Sequence, residues 1–276
     1  MNLQDKLREC QENQEALLAC NFYNYETLRS ILTAARETEM PVILQLTKSS
    51  IDYMGMSVAV EMARTGLKQF QVEGWIHLDH GGSIELVEEC LKAGFDSVMI
   101  DASEKEFKEN IKTTRKAVLI AKNYGANVEA ELGYIAKLGE SHQKVGFTDP
   151  EEARLFIEET GINALAVAIG SAHGFYQGEP KLDFERLSAI RKETNACLVL
   201  HGGSGIPDVA LREAVKRGIC KINLATEIKN MFMQSLSGLL QKNSEIDLRK
   251  VFPPAMLAVS DLVNHKLQVV SGKNFL

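Results

Sequence analysis

The chain has 276 residues, 45% of them hydrophobic and 25% charged, with a formal net charge of −6. A chain of this length buries roughly 75% of its unfolded surface, so its core needs no covalent staples. The acidic balance argues against nucleic acid as the main partner, because a phosphate backbone demands a basic face; a small phosphorylated molecule needs only a local positive pocket.

Taken in chain order, residues 2–13 predict an amphipathic helix, followed by a strand at Ala16–Phe22 and a helix at 27–38. Strands follow at Pro41–Thr47 and Gly74–His80, then a helix at 83–94. Ser97–Ala102 reads as a strand, 109–125 as a helix, Asn127–Gly133 as a strand and 149–161 as a helix. Ala164–Gly170, Cys197–Gly203 and Cys220–Thr226 are the last strands, with helices at 183–194 and 208–218 between them and further apolar helices at 228–240 and 254–267. The strands are near-continuous apolar runs, as expected of parallel strands covered on both faces. The helices carry apolar residues at three- and four-residue spacing. Ser83 and Asp149, the latter before Pro150, are N-cap candidates, and Gly94, Gly125, Gly161 and Gly218 suit left-handed helix ends.

Strand and helix thus alternate about eight times, which fits a closed (β/α)8 TIM barrel. An open doubly wound sheet is the alternative, but ACNFYNYE after the first strand carries no G-x-G-x-x-G. Residues 2–13 are expected to cap the barrel floor, and the two C-terminal helices have apolar surface in excess of what covers a barrel. No linker or low-complexity tract divides residues 1–276, which read as one domain. The five cysteines (Cys10, Cys20, Cys90, Cys197, Cys220) are odd in number and form no C-x-x-C, so they read as reduced and the chain as cytoplasmic. The N-terminus mixes charges and lacks a signal-peptide core, and no apolar run reaches the roughly 18 residues of a membrane span.

Active sites of such barrels lie at the C-terminal ends of the strands. In chain order those ends supply Asn21 and Asn24; Thr47, Ser49 and Ser50; Asp79 and His80; Asp101 and Ser103; Glu129 and Glu131; Ser171, His173 and Gly174; His201, Gly202, Gly203 and Ser204; Asn223 and Thr226. Three of the six histidines therefore fall at the ends of strands three, six and seven. Three imidazoles with an open fourth position are the ligand set of a catalytic zinc. His77, inside a strand, is expected to pack or bond locally, and His142 and His265 to play no part. Asp79 can support a ligand imidazole, act as an acid/base or cap a helix. Glu129 and Glu131 share one face of their strand, either paired with Lys or Arg or serving near the metal. The turns HGGSG at 201–205 and NLATE at 223–227 follow strands seven and eight, where barrels commonly bind phosphate.

The motifs HLDHG (77–81), MIDAS (99–103), VEAELG (128–133), VAIGSAHGFY (167–176), LVLHGGSGIP (198–207) and KINLATE (221–227) run in this order along the chain. Together they resemble the class II, zinc-dependent fructose- and tagatose-bisphosphate aldolases over most of its length. The resemblance implies that His80, His173 and His201 hold Zn2+, with Asp101 and Glu131 as acidic neighbours of the metal. It implies Asp79 as the acid/base, Asn223 as a donor to the developing oxyanion, and Gly174, Gly202, Gly203, Ser204, Asn223, Leu224, Ala225 and Thr226 as the dihydroxyacetone phosphate site. Reversible aldol cleavage of a phosphorylated ketose, without a Schiff base, in a homodimer or homotetramer is the implied activity; no barrel strand reads as carrying a buried lysine at its inner end. The chain departs from the family at Glu104, where His is usual, and in YIAKLGESHQKVG (134–146), where Glu140 is the one acid available to act as a mobile-loop carboxylate. INLAT at 222–226 is nearer the tagatose pattern. A zinc hydrolase barrel is disfavoured because the first strand offers no His; a non-catalytic subunit that binds zinc and a sugar phosphate is the other alternative.

Overall fold

A computed structural model describes residues 1–137, 146–174, 176, 178, 180–242 and 244–272. Asn2 opens α1 (Leu3–Glu12) by accepting the Asp5 N–H. β1 (Leu17–Asn21) leads to α2 (Tyr25–Thr38), which starts in a reciprocal capping box between Asn24 and Thr27. β2 (Val42–Thr47) is followed by α3 (Lys48–Met54) and α4 (Met56–Phe70). Neither helix is expected from the sequence. Gly55, at φ 85°, splits the apolar periodicity of that segment in two.

The remaining elements are β3 (Gly74–Gly81), α5 (Ile84–Lys92), β4 (Ser97–Ile100), α6 (Phe107–Lys122), β5 (Asn127–Leu132), β6 (Ala136–Lys137), α7 (Pro150–Thr160), β7 (Ala164–Val167) and β8 (Ala172–His173), then α8 (Phe184–Glu193), β9 (Cys197–Leu200), α9 (Asp208–Lys216), β10 (Ile219–Leu224), α10 (Thr226–Leu240) and α11 (Leu248–Ser271). Ser83 and Asp149 cap α5 and α7. Gly94, Gly125, Gly161 and Gly218 all have positive φ.

Among the described residues eight parallel strands close a barrel in the order β1–β2–β3–β4–β5–β7–β9–β10. β1 pairs with both β2 and β10, which no open sheet allows for its first and last strands in this order. β6 and β8 stand apart as a two-stranded parallel sheet that aligns Lys137 with His173. The layer between strands and helices is one continuous apolar core. A second cluster fills the barrel floor, where Leu3, Leu7 and Cys10 of α1 meet inward residues such as Leu17, Ile43, Trp75 and Cys197. The floor is thus plugged by α1, and polar side chains are left to the opposite mouth. All five cysteines are buried and free.

Candidate active site

Alternation along β3 sends Ile76 and Leu78 to the outer core and Trp75, His77 and Asp79 inward. Strict alternation would then turn His80 outward. His80 instead adopts φ 52°, left-handed for a non-glycine residue, beside an irregularity in the β3–β4 register between Leu78 and Gly81. A bulge of this kind re-aims a side chain, and it brings His80 into the mouth next to Asp79. His201 follows β9 directly and is fully buried. His173 is carried by β8, beyond the end of β7. Tyr176 braces that loop: its hydroxyl accepts the Ala172 N–H (2.8 Å) and donates to the Gly202 carbonyl (3.1 Å).

The three rings converge. Centroids lie 4.9 Å apart for His80 and His173, 4.8 Å for His80 and His201, and 5.8 Å for His173 and His201. One ring nitrogen from each falls within 4.8 Å of the others. His80 Nδ1–H donates to Asp101 Oδ2 (2.7 Å), and His201 Nε2–H donates to Glu129 Oε1 (2.8 Å). These carboxylates fix each tautomer and leave His80 Nε2 and His201 Nδ1 buried without a hydrogen-bond partner among the described residues. Orphaned ring nitrogens backed by carboxylates are what a divalent cation requires, so the donor set fits the metal expected from the sequence. A second group, His80, Asp101 and Glu131, also has ligand atoms within 4.8 Å of one another.

Electrostatics agree with that reading. Burial alone would lower the His80 imidazole, but the neighbouring Asp79 and Asp101 carboxylates outweigh it and push it up to about 9. Burial, with the charges of His80 and Lys221, holds His201 well below its usual range. Burial would raise Asp79, yet His80, His201 and the Asn21 hydrogen bond keep it below the usual carboxylate range. Burial is likewise overridden at Asp101 by His80 and Ser103, and its carboxyl is held down. Glu131 goes the other way: burial and the Asp101 charge push it up to about 8. The cluster therefore concentrates negative charge and a proton that a cation can displace.

Asp79 is held by two amides, Asn21 Nδ2 on Oδ2 (2.8 Å) and Asn223 Nδ2 on Oδ1 (3.3 Å). Gln45 Nε2 in turn donates to Asn21 Oδ1 (3.0 Å). Asn223 Oδ1 accepts from Lys221 Nζ (2.8 Å), whose ammonium also pairs with Glu129 Oε2 (2.9 Å). Lys221 is 1% exposed. This corrects the expectation that no barrel strand carries a buried inner lysine. The cause is a register shift between Ile219 and Lys221 of β10, which lets Cys220 and Lys221 both face inward. Glu129 serves both alternatives at once, pairing with a lysine and orienting a ring of the cluster. His77 bonds Ser97 Oγ through Nδ1 (2.8 Å), the local role expected of it.

The glycine turns also resolve. Gly202 has φ 65°, and a Cβ there would collide with the Ala172 carbonyl. Gly203 packs against Ile222 and Asn223, and its N–H donates to the Asn223 carbonyl (3.1 Å), so that donor is already used. Ser204 Oγ accepts the Glu227 N–H (3.2 Å), which leaves its hydroxyl proton for another partner. α10 starts at Thr226 behind Ala225, which supplies no side-chain cap. Apart from the Glu227 N–H that Ser204 takes, such a helix start offers first-turn N–H groups to an anion. Gly174, at φ 108°, follows His173, and Leu224 is buried in the outer core.

A cavity of about 860 Å3 opens at this mouth, lined by Asn21, Thr47, Ser49, Asp79, His80, Asp101, His173, Ala225 and Thr226; of the residues expected at the phosphate site, Ala225 and Thr226 are on its wall, and Gly174, Gly202, Gly203, Ser204 and Leu224 are not. Tyr23, Glu104, Lys105 and Lys229 line it too, and none of them has a role expected from the sequence. Lys105 and Lys229 supply the local positive charge that a phosphorylated ligand needs in an acidic protein; only their place near strand ends could have shown it. Asn223 sits behind Asp79 rather than on the wall. Glu140, His142 and Phe175 lie outside the described residues, and among the described residues no helix is long and apolar enough to cross a membrane.

Comparison with known proteins converges on one family. The family model for "Fructose-bisphosphate aldolase class-II" matches residues 1–274. The chain is 38% identical over 285 residues to a fructose-bisphosphate aldolase of Helicobacter pylori strain 26695, covering 93% of each chain. It is 38% identical over 282 residues to that of Staphylococcus aureus strain Mu50, covering 99% of this chain and 98% of the relative. The crystal structure of the YdjI aldolase from Escherichia coli K12 superposes with a TM-score of 0.87 at 30% identity, over 99% of this chain and 98% of that one.

Proposed function

Since this chain belongs to the class II fructose-bisphosphate aldolase family, a family of lyases that use a divalent metal, we propose that it cleaves a phosphorylated ketose reversibly to dihydroxyacetone phosphate and an aldehyde, with zinc held by His80, His173 and His201. The observation that carries the reading is the convergence of the three rings beside an amide-held Asp79. A zinc ion bound there supplies Lewis-acid polarisation of the substrate oxygens, worth several kcal/mol.

The residues of the chain divide the remaining work. In the cleavage direction Asp79 takes the proton of the C4 hydroxyl as the C3–C4 bond breaks, the C4 oxygen becomes the aldehyde carbonyl, and the electron pair passes to the three-carbon fragment. In condensation Asp79 returns that proton. Its low pKa keeps it a base at neutral pH. Asn223 Nδ2, whose bond to Asp79 is long at 3.3 Å, is the donor to the oxygen that gains charge. Ala225 and Thr226, on the cavity wall at the N-terminus of α10, frame the phosphate, with Gly174, Gly202 and Ser204 in the neighbouring turns; Gly203 and Leu224 serve it only by shaping the backbone, since the Gly203 N–H is already bonded and the Leu224 side chain lies in the outer core. Asp101 orients His80 and Glu131 lies close enough to share the metal. Glu140 is assigned the exchange of the substrate α-proton.

We also place the enzyme in the cytoplasm as a homodimer or homotetramer. Met233 and Leu240 on α10 and Leu257 on α11 are each more than half exposed and offer an apolar contact; a monomeric sedimentation mass would remove this part of the reading. For the activity, purified protein stripped by a chelator and then restored with zinc is assayed for dihydroxyacetone phosphate released from fructose-1,6- and tagatose-1,6-bisphosphate. Loss on stripping and recovery with zinc are expected. Cleavage indifferent to the chelator would refute the reading.

A further inference from the structure

Lys221 is a full positive charge inside the barrel, 1% exposed, and it does not line the cavity. Two of its three donors are accounted for by Glu129 Oε2 at 2.9 Å and Asn223 Oδ1 at 2.8 Å. Beyond Glu129 lies His201, 2.8 Å from Oε1; beyond Asn223 lies Asp79, 3.3 Å from Nδ2. One ammonium therefore stands between the metal cluster and the acid/base.

We propose that Lys221 is a positioning residue that sets both halves of the active site, fixing the His201 ring through Glu129 and the direction of the Asn223 amide through its Oδ1. The proposal rests on the aldolase reading above. An ammonium has donors only, so it can meet the amide oxygen and never the amide nitrogen. Asn223 must then turn Nδ2 toward Asp79 and the substrate side; the flipped amide would set its NH2 group against the charge. On the other branch the ammonium holds one oxygen of Glu129, so the second faces Nε2–H of His201 and Nδ1 points at the metal position. Stability is a weak reason for this arrangement, because apolar residues of similar volume replace a buried ion pair at little cost or with gain. Orientation is what an apolar pair cannot supply. Lys221 forms no bond to substrate in this scheme, and its pairing with Glu129 below the mouth sets it apart from a Schiff-base nucleophile.

The test compares wild type, Lys221→Met and the double variant Lys221→Met/Glu129→Gln. The double variant removes both charges together, so it keeps the fold if the single variant does not, and the oxygen of the introduced amide still accepts from His201. Three readouts are taken: thermal melting, zinc affinity of the stripped protein by competition with a chromophoric chelator, and solvent hydrogen exchange at C3 of dihydroxyacetone phosphate followed by NMR. Lys221→Met is expected to weaken zinc binding roughly tenfold or more, in the range of lost ligand-orienting partners. The double variant is expected to regain zinc affinity yet exchange hydrogen at least about tenfold more slowly than wild type, because Asn223 has lost the group that sets its amide. A double variant that recovers both zinc binding and exchange would reduce Lys221 to a counter-charge for Glu129 and overturn the proposal. So would variants that melt lower but bind and exchange like wild type. If wild type itself neither binds zinc nor exchanges hydrogen, it is the aldolase reading that fails.

Discussion

Asp79 and His80 are neighbours in sequence to which the proposed function gives different duties, and the backbone separates them. Asp79 keeps the inward side of β3, while His80 reaches the mouth only through a left-handed φ of 52°. Their removal should therefore have different signatures. Asp79→Ala is expected to retain zinc and lose turnover by about 10²–10⁴-fold, the usual worth of a positioned acid/base. His201→Ala is expected to lose the metal itself, read by elemental analysis after gel filtration. Retention of zinc by the His201 variant would mean that the ligands are elsewhere. The histidines were legible because each ends an apolar run, and strand ends face one mouth whatever the local geometry. Lys221 was not, because the register shift in β10 turns a residue inward that simple alternation from Cys220 turns out.

Leu7 is 2% exposed in the floor of the barrel. Leu7→Ala should cost about 2–5 kcal/mol of stability and leave zinc affinity unchanged, since floor and mouth lie at opposite ends of the strands; chemical denaturation and the chelator competition check both. Asp208 at the start of α9 is held by Lys266 Nζ (2.8 Å) and His265 Nε2 (2.6 Å) of α11. Burial opposes these bonds, but they win, and the Asp208 carboxyl lies below its ordinary range. A depressed carboxyl stabilises the fold above the unfolded pKa of about 3.9, and that contribution fades as pH falls through the folded value. The gap in urea midpoint between wild type and Asp208→Asn should accordingly narrow from pH 7 to pH 3; a gap independent of pH would contradict this. Some elements escaped the sequence for identifiable reasons. β6 and β8 have two residues each, too short for any period to show. α11 begins at Leu248, capped by Asp247, although Pro253 and Pro254 suggested a later start. The carbonyls whose partners those prolines remove belong to Arg249 and Lys250, whose exposed positions give water access.

The division of labour between the two ends of the barrel follows from its closure. Apolar side chains and α1 close one end, and nearly every chemically active side chain faces the other. The barrel was legible because its repeat is long and regular, and closure itself is carried by the β1–β10 pairing. The decisive question is whether that closed mouth grips one metal ion through nitrogens drawn from three separate strand ends. X-ray absorption at the zinc edge of fully loaded protein tests this most directly. One zinc per chain with three imidazole nitrogens at about 2.0–2.1 Å and a further light-atom ligand is predicted. A sulfur-rich or purely carboxylate shell, or no stoichiometric zinc at all, would contradict it.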